Sequence, residues 1–318
     1  MQITRILSLA DLHLVSGQPK TRSDHPYSNK KLEKIQKLLV EMNGDTKKYR
    51  EYFNPDLKPS ISLKSFLDFL PQVAKKVNES GVDCVVFAGD MCDVSRKPGR
   101  DTMIHEDTFA ALRQFVELIR SPVFFLPGNA DIFSRADFFN AVGRLSELNE
   151  TGKDKLRSRF GINIALVFAR NGNFAIKPDS CSIIGLNSVG VNNYELHRYE
   201  NMGFLSKFMD SSNPKPIVLF THHPPFRVLP PEVTDILGSG LPSQQWILTA
   251  LNHYFSDKKQ RTVVVSGHCH KAFDKGDAPV REICLSPMLR KLEGETGYNI
   301  GNILEIEEEE IKVSSLRI

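Results

Sequence analysis

The chain has 318 residues, 41% of them hydrophobic, enough to bury a sizeable core in one large domain or two small ones. Basic residues number 41 and acidic residues 38, leaving a net charge of +3, so overall charge gives no case for nucleic acid or an anionic membrane surface as a partner. One domain carrying insertions is expected.

Met1 to Ala10 holds a single basic residue and runs straight into Asp11 and His13, so neither a signal peptide nor a membrane anchor is expected there. No apolar run approaches the ~20 residues that cross a bilayer. The first strand is predicted over Thr4 to Leu9. Residues 14 to 60 follow as an insertion with 10 lysines and arginines against 6 acids. It includes an expected helix with Leu32, Ile35, Leu38, Leu39 and Met42 on one face, stopped by Asn43-Gly44.

Leu63, Phe66, Leu67, Leu70, Val73 and Val77 recur at helical spacing before Gly81, and Phe109, Leu112, Phe115, Val116 and Ile119 do the same before Pro122. Between and after these amphipathic helices lie apolar strands at Cys84 to Ala88, Val123 to Leu126, Cys181 to Leu186, Ile217 to Thr221 and Thr262 to Ser266. They are too continuously apolar for a surface, as expected of strands covered on both faces in an α/β layered fold. More polar insertions are expected at about 134–178 and 188–212. Ile300 to Ile306 and Ile311 to Leu316 predict a closing antiparallel pair around the solvated turn Glu307 to Glu310. The five cysteines, Cys84, Cys92, Cys181, Cys269 and Cys284, are odd in number and form no C-x-x-C pair. Buried thiols in a reducing cytoplasm are therefore expected.

Five of these strands end in polar, metal-capable residues: Asp11-Leu12-His13, Gly89-Asp90-Met91-Cys92-Asp93, Gly128-Asn129-Ala130-Asp131, Thr221-His222-His223-Pro224 and Gly267-His268-Cys269-His270. Ligands of open α/β sheets collect outside the carboxyl ends of strands, so loops spread from residue 11 to residue 270 can converge. Four imidazoles, two carboxylates and an amide form a mixed nitrogen and oxygen set suited to divalent manganese, iron, zinc, nickel or cobalt, with magnesium as a further alternative. Alternate residues of an extended segment face one side, so Asp11 with His13, and His268 with His270, are expected to point together.

The ordered set D-x-H, G-D-x-x-D, G-N-x-D, H-x-P and G-H-x-H resembles the calcineurin-like metallophosphoesterases over residues 11 to 270. The resemblance implies a four-layer α/β/β/α sandwich and a bimetal centre. Asp11, His13 and His270 would hold the first ion, Asn129, His222 and His268 the second, and Asp90 would bridge both. His222 is taken as the ligand of its pair because it stands two residues before Pro224. His223 would lie behind the ligands or face substrate, and Asp93 would orient His13 or a loop amide. Two ions ~3.5 to 4 Å apart lower the pKa of a bridging water, whose hydroxide attacks phosphorus directly. The catalytic set so implied is Asp90, Asn129, His223 and Asp131.

The family normally places a histidine after the asparagine, thought to protonate the leaving oxygen, where this chain has Ala130. Three explanations compete: substrates with acidic leaving groups; substitution by His223, Arg135 or an insertion residue; and lost or removed activity in a module that only binds a phosphorylated partner. UDP-diacylglucosamine pyrophosphohydrolases of lipid A synthesis resemble the family yet also lack that histidine. Their substrate is one alternative, with residues 14–60 as a lid touching the membrane periphery. Cyclic nucleotides are another, since such phosphodiesterases share the H-H-P-P run of His222 to Pro225.

Overall fold

A computed structural model describes residues 4–15, 37, 61–92, 106–131, 135–160, 165–169, 171–178, 180–189, 194–208, 215–225, 262–268, 270, 272–275, 280–290, 296–307 and 310–318. Apart from Lys37, the expected helix at residues 32–42 falls outside these, and so does Asp93. In chain order the elements begin with β1 (Thr4–Leu9), β2 (Leu14–Val15), β3 (Ile61–Ser62), α1 (Leu63–Glu79), β4 (Cys84–Ala88), α2 (Glu106–Leu118) and β5 (Val123–Leu126). They continue with α3 (Arg135–Phe160), β6 (Ala165–Phe168), β7 (Phe174–Lys177), β8 (Ser182–Leu186), α4 (Tyr194–Phe208) and β9 (Ile217–Thr221). The last are β10 (Thr262–Ser266), β11 (Phe273–Lys275), β12 (Val280–Cys284), β13 (Asn299–Ile306) and β14 (Ile311–Arg317).

Two sheets form. The first has the order β14-β13-β1-β4-β5, and the second β11-β12-β10-β9-β8-β7-β6. Within the first, β1, β4 and β5 run parallel, as do β8, β9, β10 and β12 within the second. The tail pairs antiparallel as its sequence predicts, Ile306 opposite Ile311. Of the stretch 134–178, β6 forms an edge of the second sheet and β7 lies between it and β8.

Strand alternation explains the layering. On β4, Val85 and Phe87 turn outward to meet Phe66, Leu70 and Val73 of α1 and Leu112 and Phe115 of α2. Val86 and Ala88 turn inward to Phe124, Phe174, Phe220 and Val265 between the sheets. Ile184, Leu219 and Val264 face out of the second sheet towards Phe204 and Leu205 of α4. The result is an α/β/β/α sandwich, because every central strand has two apolar faces to cover. Each fully buried Phe, Leu or Val adds roughly 1.5–3 kcal/mol of transfer free energy. Ser62 caps α1 by accepting a hydrogen bond from the Ser65 amide at 3.1 Å. Leu67, counted on the inner face of α1 from its spacing, is 38% exposed.

Cys84 and Cys181 belong to the layer between the sheets. Burial pushes the Cys84 thiol well above its ordinary range and carries Cys181 up to about 12. Since the thiolate is the nucleophile, iodoacetamide at pH 8 is expected to leave both unmodified in the folded chain and to alkylate both in denaturant. Mass-spectrometric detection of either adduct in the native protein would show that the core between the sheets opens.

Candidate metal centre

Parallel strands of both sheets point their carboxyl ends at one seam. β1 leads into Asp11 and His13, β4 into Asp90, β5 into Asn129, β9 into His222 and β10 into His268 and His270. The loops are tied to one another by main-chain hydrogen bonds: Asp11 N donates to Gly89 O at 3.1 Å, His13 N to Asp90 O at 2.9 Å, and Gly267 N to His222 O at 2.9 Å. Two further bonds cross between the sheets. His268 N donates to Asp11 Oδ1 at 2.9 Å, and the His222 ring donates from Nδ1 to Ala88 O at 2.9 Å.

The backbone at these residues corrects the expectation of extended loops. Six non-glycine residues among those described have positive φ, and five are Asp11 (55°), His13 (50°), Asp90 (54°), His268 (69°) and His270 (54°). Asp11 and His13 therefore reach one place through left-handed turns rather than through strand alternation, and so do His268 and His270. Such conformations cost on the order of 1–3 kcal/mol each and persist where surrounding structure over-determines them. Glycines make room for the rings: a Cβ on Gly89, itself at φ 85°, would stand 2.5 Å from His222 Nδ1, and one on Gly128 would stand 2.2 Å from Asp90 Oδ1.

The ligand atoms of Asp11, His13, Asp90 and His270 lie within 4.8 Å of one another, and those of His222, His223 and His268 do likewise. His13 Nε2 and His270 Nε2 are 2.9 Å apart, and His222 Nε2 stands 2.9 Å from the amide oxygen of Asn129. Asp90 Oδ2 joins the two groups, at 3.5 Å from His13 Nε2 and 3.3 Å from His222 Nε2. Its other oxygen accepts the Ala130 amide hydrogen at 2.6 Å.

Electrostatics follow from burial and crowding. Burial works against an ionised Asp90, but the imidazoles of His222, His13 and His268 outweigh it and hold this carboxyl well below the usual range. Burial pushes Asp11 up to about 8, with His222 opposing and Asp90 adding repulsion. Burial alone would lower His222, yet Asp90 and Asp11 carry it to about 9. His268 falls to about 3 through burial and the proximity of His222.

The side chains present fit divalent ions. Donors about 2.1 Å from one ion stand roughly 3.0 to 3.4 Å apart at octahedral or tetrahedral angles, and the separations between 2.9 and 3.5 Å above match that spacing. Asp11 Oδ2 is buried without a hydrogen-bond partner among the described residues, a donor whose lone pairs a cation would satisfy. His222, its Nδ1–H directed to the Ala88 carbonyl, would turn Nε2 to an ion once the second ring proton is displaced. Asp11, His13 and Asp90, with His270, would hold one ion, and Asn129, His222 and His268, sharing Asp90, the other.

Three supporting features were not legible in the sequence. Asp131 is no orienting partner for residue 130: its oxygens accept the Cys92 amide at 2.7 Å and the Gly128 amide at 2.8 Å, clamping the loops that carry Asp90 and Asn129. β8 also ends at the seam, and its Ser188 Oγ lies 3.0 Å from His223 Nδ1. Ser188 is fixed by its neighbour Asn187, which hydrogen-bonds Asn173, Asn171 and Asn201. The Asn187-Ser188 pair follows the remaining predicted strand, and both residue types are ordinary at turns, so neither marks a site by itself. Arg290, on the loop after β12, is partly buried, and burial lowers its guanidinium to about 10 although the charge of Asp11 opposes this.

Among known folds, a dimetal phosphatase from Danio rerio aligns over 99% of this chain and 98% of its own at 12% identity, with a TM-score of 0.49. A phosphopantetheinyl hydrolase from Mycobacterium tuberculosis aligns over 89% of this chain and 90% of its own, at 12% identity and a TM-score of 0.43. GAP50, the anchor in the inner membrane complex of Plasmodium, aligns over 98% and 84% at 13% identity and a TM-score of 0.43. No curated protein matches the sequence. Residues 4–272 match the calcineurin-like phosphoesterase family, a span that includes every strand end at the seam, and the chain belongs to that family.

Proposed function

We propose that the chain is a dinuclear metal-dependent phosphoesterase, with manganese as its preferred ion, hydrolysing a phosphodiester, phosphomonoester or pyrophosphate bond of a small phosphorylated compound. The observation that carries this reading is Asp90 Oδ2, one oxygen facing an imidazole of each donor group. Bound there, two divalent ions supply a water of lowered pKa as nucleophile and offset phosphoryl charge during in-line displacement. The chain's own residues set the geometry: Asp90 bridges, Asn129 adds a neutral oxygen, and Asp131 keeps their two loops in register.

The Ala130 side chain has no proton to give, which favours substrates whose leaving groups are already acidic, such as the phosphate of a nucleoside pyrophosphate or the phenol of an aryl phosphate. The competing reading, a module that binds a phosphorylated partner without turnover, has less support. Five strained backbone positions at the ligands are a steep cost to retain, and they serve a shaped metal site.

Hydrolysis of bis(p-nitrophenyl) phosphate and p-nitrophenyl phosphate is expected with added manganese, abolished by a chelator and restored by manganese. No metal-dependent turnover on these or on a panel of nucleotides would overturn the enzyme reading.

A further inference from the structure

We infer that Asn201, on α4, is a positioning residue for the second metal-donor group, holding the loops of His222 and Asn129 through a buried cluster of four asparagines. The inference rests on reading the seam as a two-ion centre. It adds a residue that touches neither an ion nor a substrate.

The cluster is assembled from three separate elements. Asn171 and Asn173 lie in the turn between β6 and β7, Asn187 follows β8, and Asn201 belongs to α4. Asn173, Asn187 and Asn201 are each 0% exposed. The side-chain oxygen of Asn201 accepts from the amide groups of Asn173 at 2.7 Å and Asn171 at 3.2 Å, while its own Nδ2 donates to Asn187 O at 2.8 Å. Asn187 in turn donates its main-chain N–H to Asn173 Oδ1 and its Nδ2 to Asn171 O, both at 2.7 Å. Turn, strand end and helix are thereby closed into one ring of hydrogen bonds. In a low dielectric such bonds strengthen one another, and removing a partner leaves a buried amide unsatisfied, so the ring resists distortion.

This ring reaches the second donor group from two sides. On one side Ser188, next to Asn187, accepts the His223 main-chain N–H on its Oγ at 3.1 Å, which fixes the peptide unit that follows His222. That tie is to the backbone and involves no ring nitrogen. On the other side Gly172, between Asn171 and Asn173, has φ 88° and packs the turn on Pro127: a Cβ there would stand 3.6 Å from Pro127 Cδ. Pro127 stands two residues before Asn129, on the loop after β5. His222 and Asn129 are the pair whose Nε2 and amide oxygen are 2.9 Å apart.

The first donor group is held by other contacts, Asp11 N to Gly89 O, His13 N to Asp90 O and Met288 N to Ala10 O. Loosening the asparagine ring is therefore expected to open the second group and to leave the first in place.

Manganese binding followed by calorimetry tests this without turnover. His270→Ala disables the first group and His222→Ala the second, so each background reports on one ion. Asn201→Ala is expected to weaken binding by roughly 10- to 100-fold in the His270→Ala chain, as for other outer supports of metal ligands, and by less than about twofold in the His222→Ala chain. Asn171→Ala removes one contact to Asn201 from a half-buried position and should move the same affinity in the same direction by less, which decides the matter if Asn201→Ala does not fold. Equal weakening of both ions would show general loosening, and an unchanged second affinity beside a lowered melting temperature would show a purely structural asparagine; either result overturns the inference. Fewer than two ions in the unmodified chain would overturn the two-ion reading together with it. Absence of phosphoesterase activity would overturn the enzyme reading alone, since both affinities are measured without it.

Discussion

Asp90→Asn is expected to fold normally, to bind no more than one ion tightly, and to hydrolyse bis(p-nitrophenyl) phosphate at least ~10³-fold more slowly. Removing one electrostatic stabiliser from an active site commonly costs ~10²–10³-fold, and this change weakens both ions together. Asparagine retains an oxygen to accept the Ala130 amide hydrogen, so the contact at 2.6 Å survives. What is lost is Oδ2, the atom shared between His13 and His222. An amide nitrogen there has no lone pair for either ion. Elemental analysis and kinetics on the same sample separate the two effects; full occupancy with unchanged kcat would show that Asp90 is not the bridge.

Ala130→His should raise kcat on phenyl phosphate by about 10²-fold while altering p-nitrophenyl phosphate turnover only slightly. General acid catalysis contributes ~10²–10⁴-fold, and the geometry selects the lower end. A histidine at 130 would look to Asp131 for orientation, but both Asp131 oxygens already accept amide hydrogens from Cys92 and Gly128. The new imidazole would be present but loosely aimed. The comparison of the two leaving groups is the decisive measurement. An equal change on both would mean that the introduced ring contacts something other than the leaving oxygen.

The site was legible where chemistry is concentrated in rare residue types at strand ends. Asp11, His13, Asp90, Asn129, His222, His268 and His270 stand out against apolar runs, and the structure gathers their donors. The alternation rule reached the pairing of Asp11 with His13 for the wrong reason, because a turn through positive φ leaves no mark in the sequence unless glycine occupies it. Ser188 was invisible for a different cause: its meaning comes from a hydrogen-bond partner 35 positions away. Asp131 entered the catalytic set through the resemblance, whereas its contacts are with the main-chain amides of Cys92 and Gly128. The apolar strands β1, β4, β5, β8, β9 and β10 and the helices α1 and α2 were legible because two covered faces and a 3.6-residue period impose strong patterns, whereas β2, β3, β6, β7, β11 and β12 were not named from the sequence. The single outlier, Leu67, shows how far such a pattern can be stretched by one position.

The seam divides its donors by origin. The first sheet supplies every oxygen, from Asp11, Asp90 and Asn129, and the second supplies His222, His268 and His270, leaving His13 as the lone nitrogen on the oxygen side. The gap that an ion must fill is therefore the distance between two sheets, set by Phe124, Phe174 and Phe220 in the layer that separates them. Face-packed sheets stand about 10 Å apart, and a close-packed interior transmits small changes of volume rather than absorbing them. The aromatic rings of that layer thus act as a gauge block. Repacking that layer is therefore expected to change the spacing of the donors with every ligand left in place.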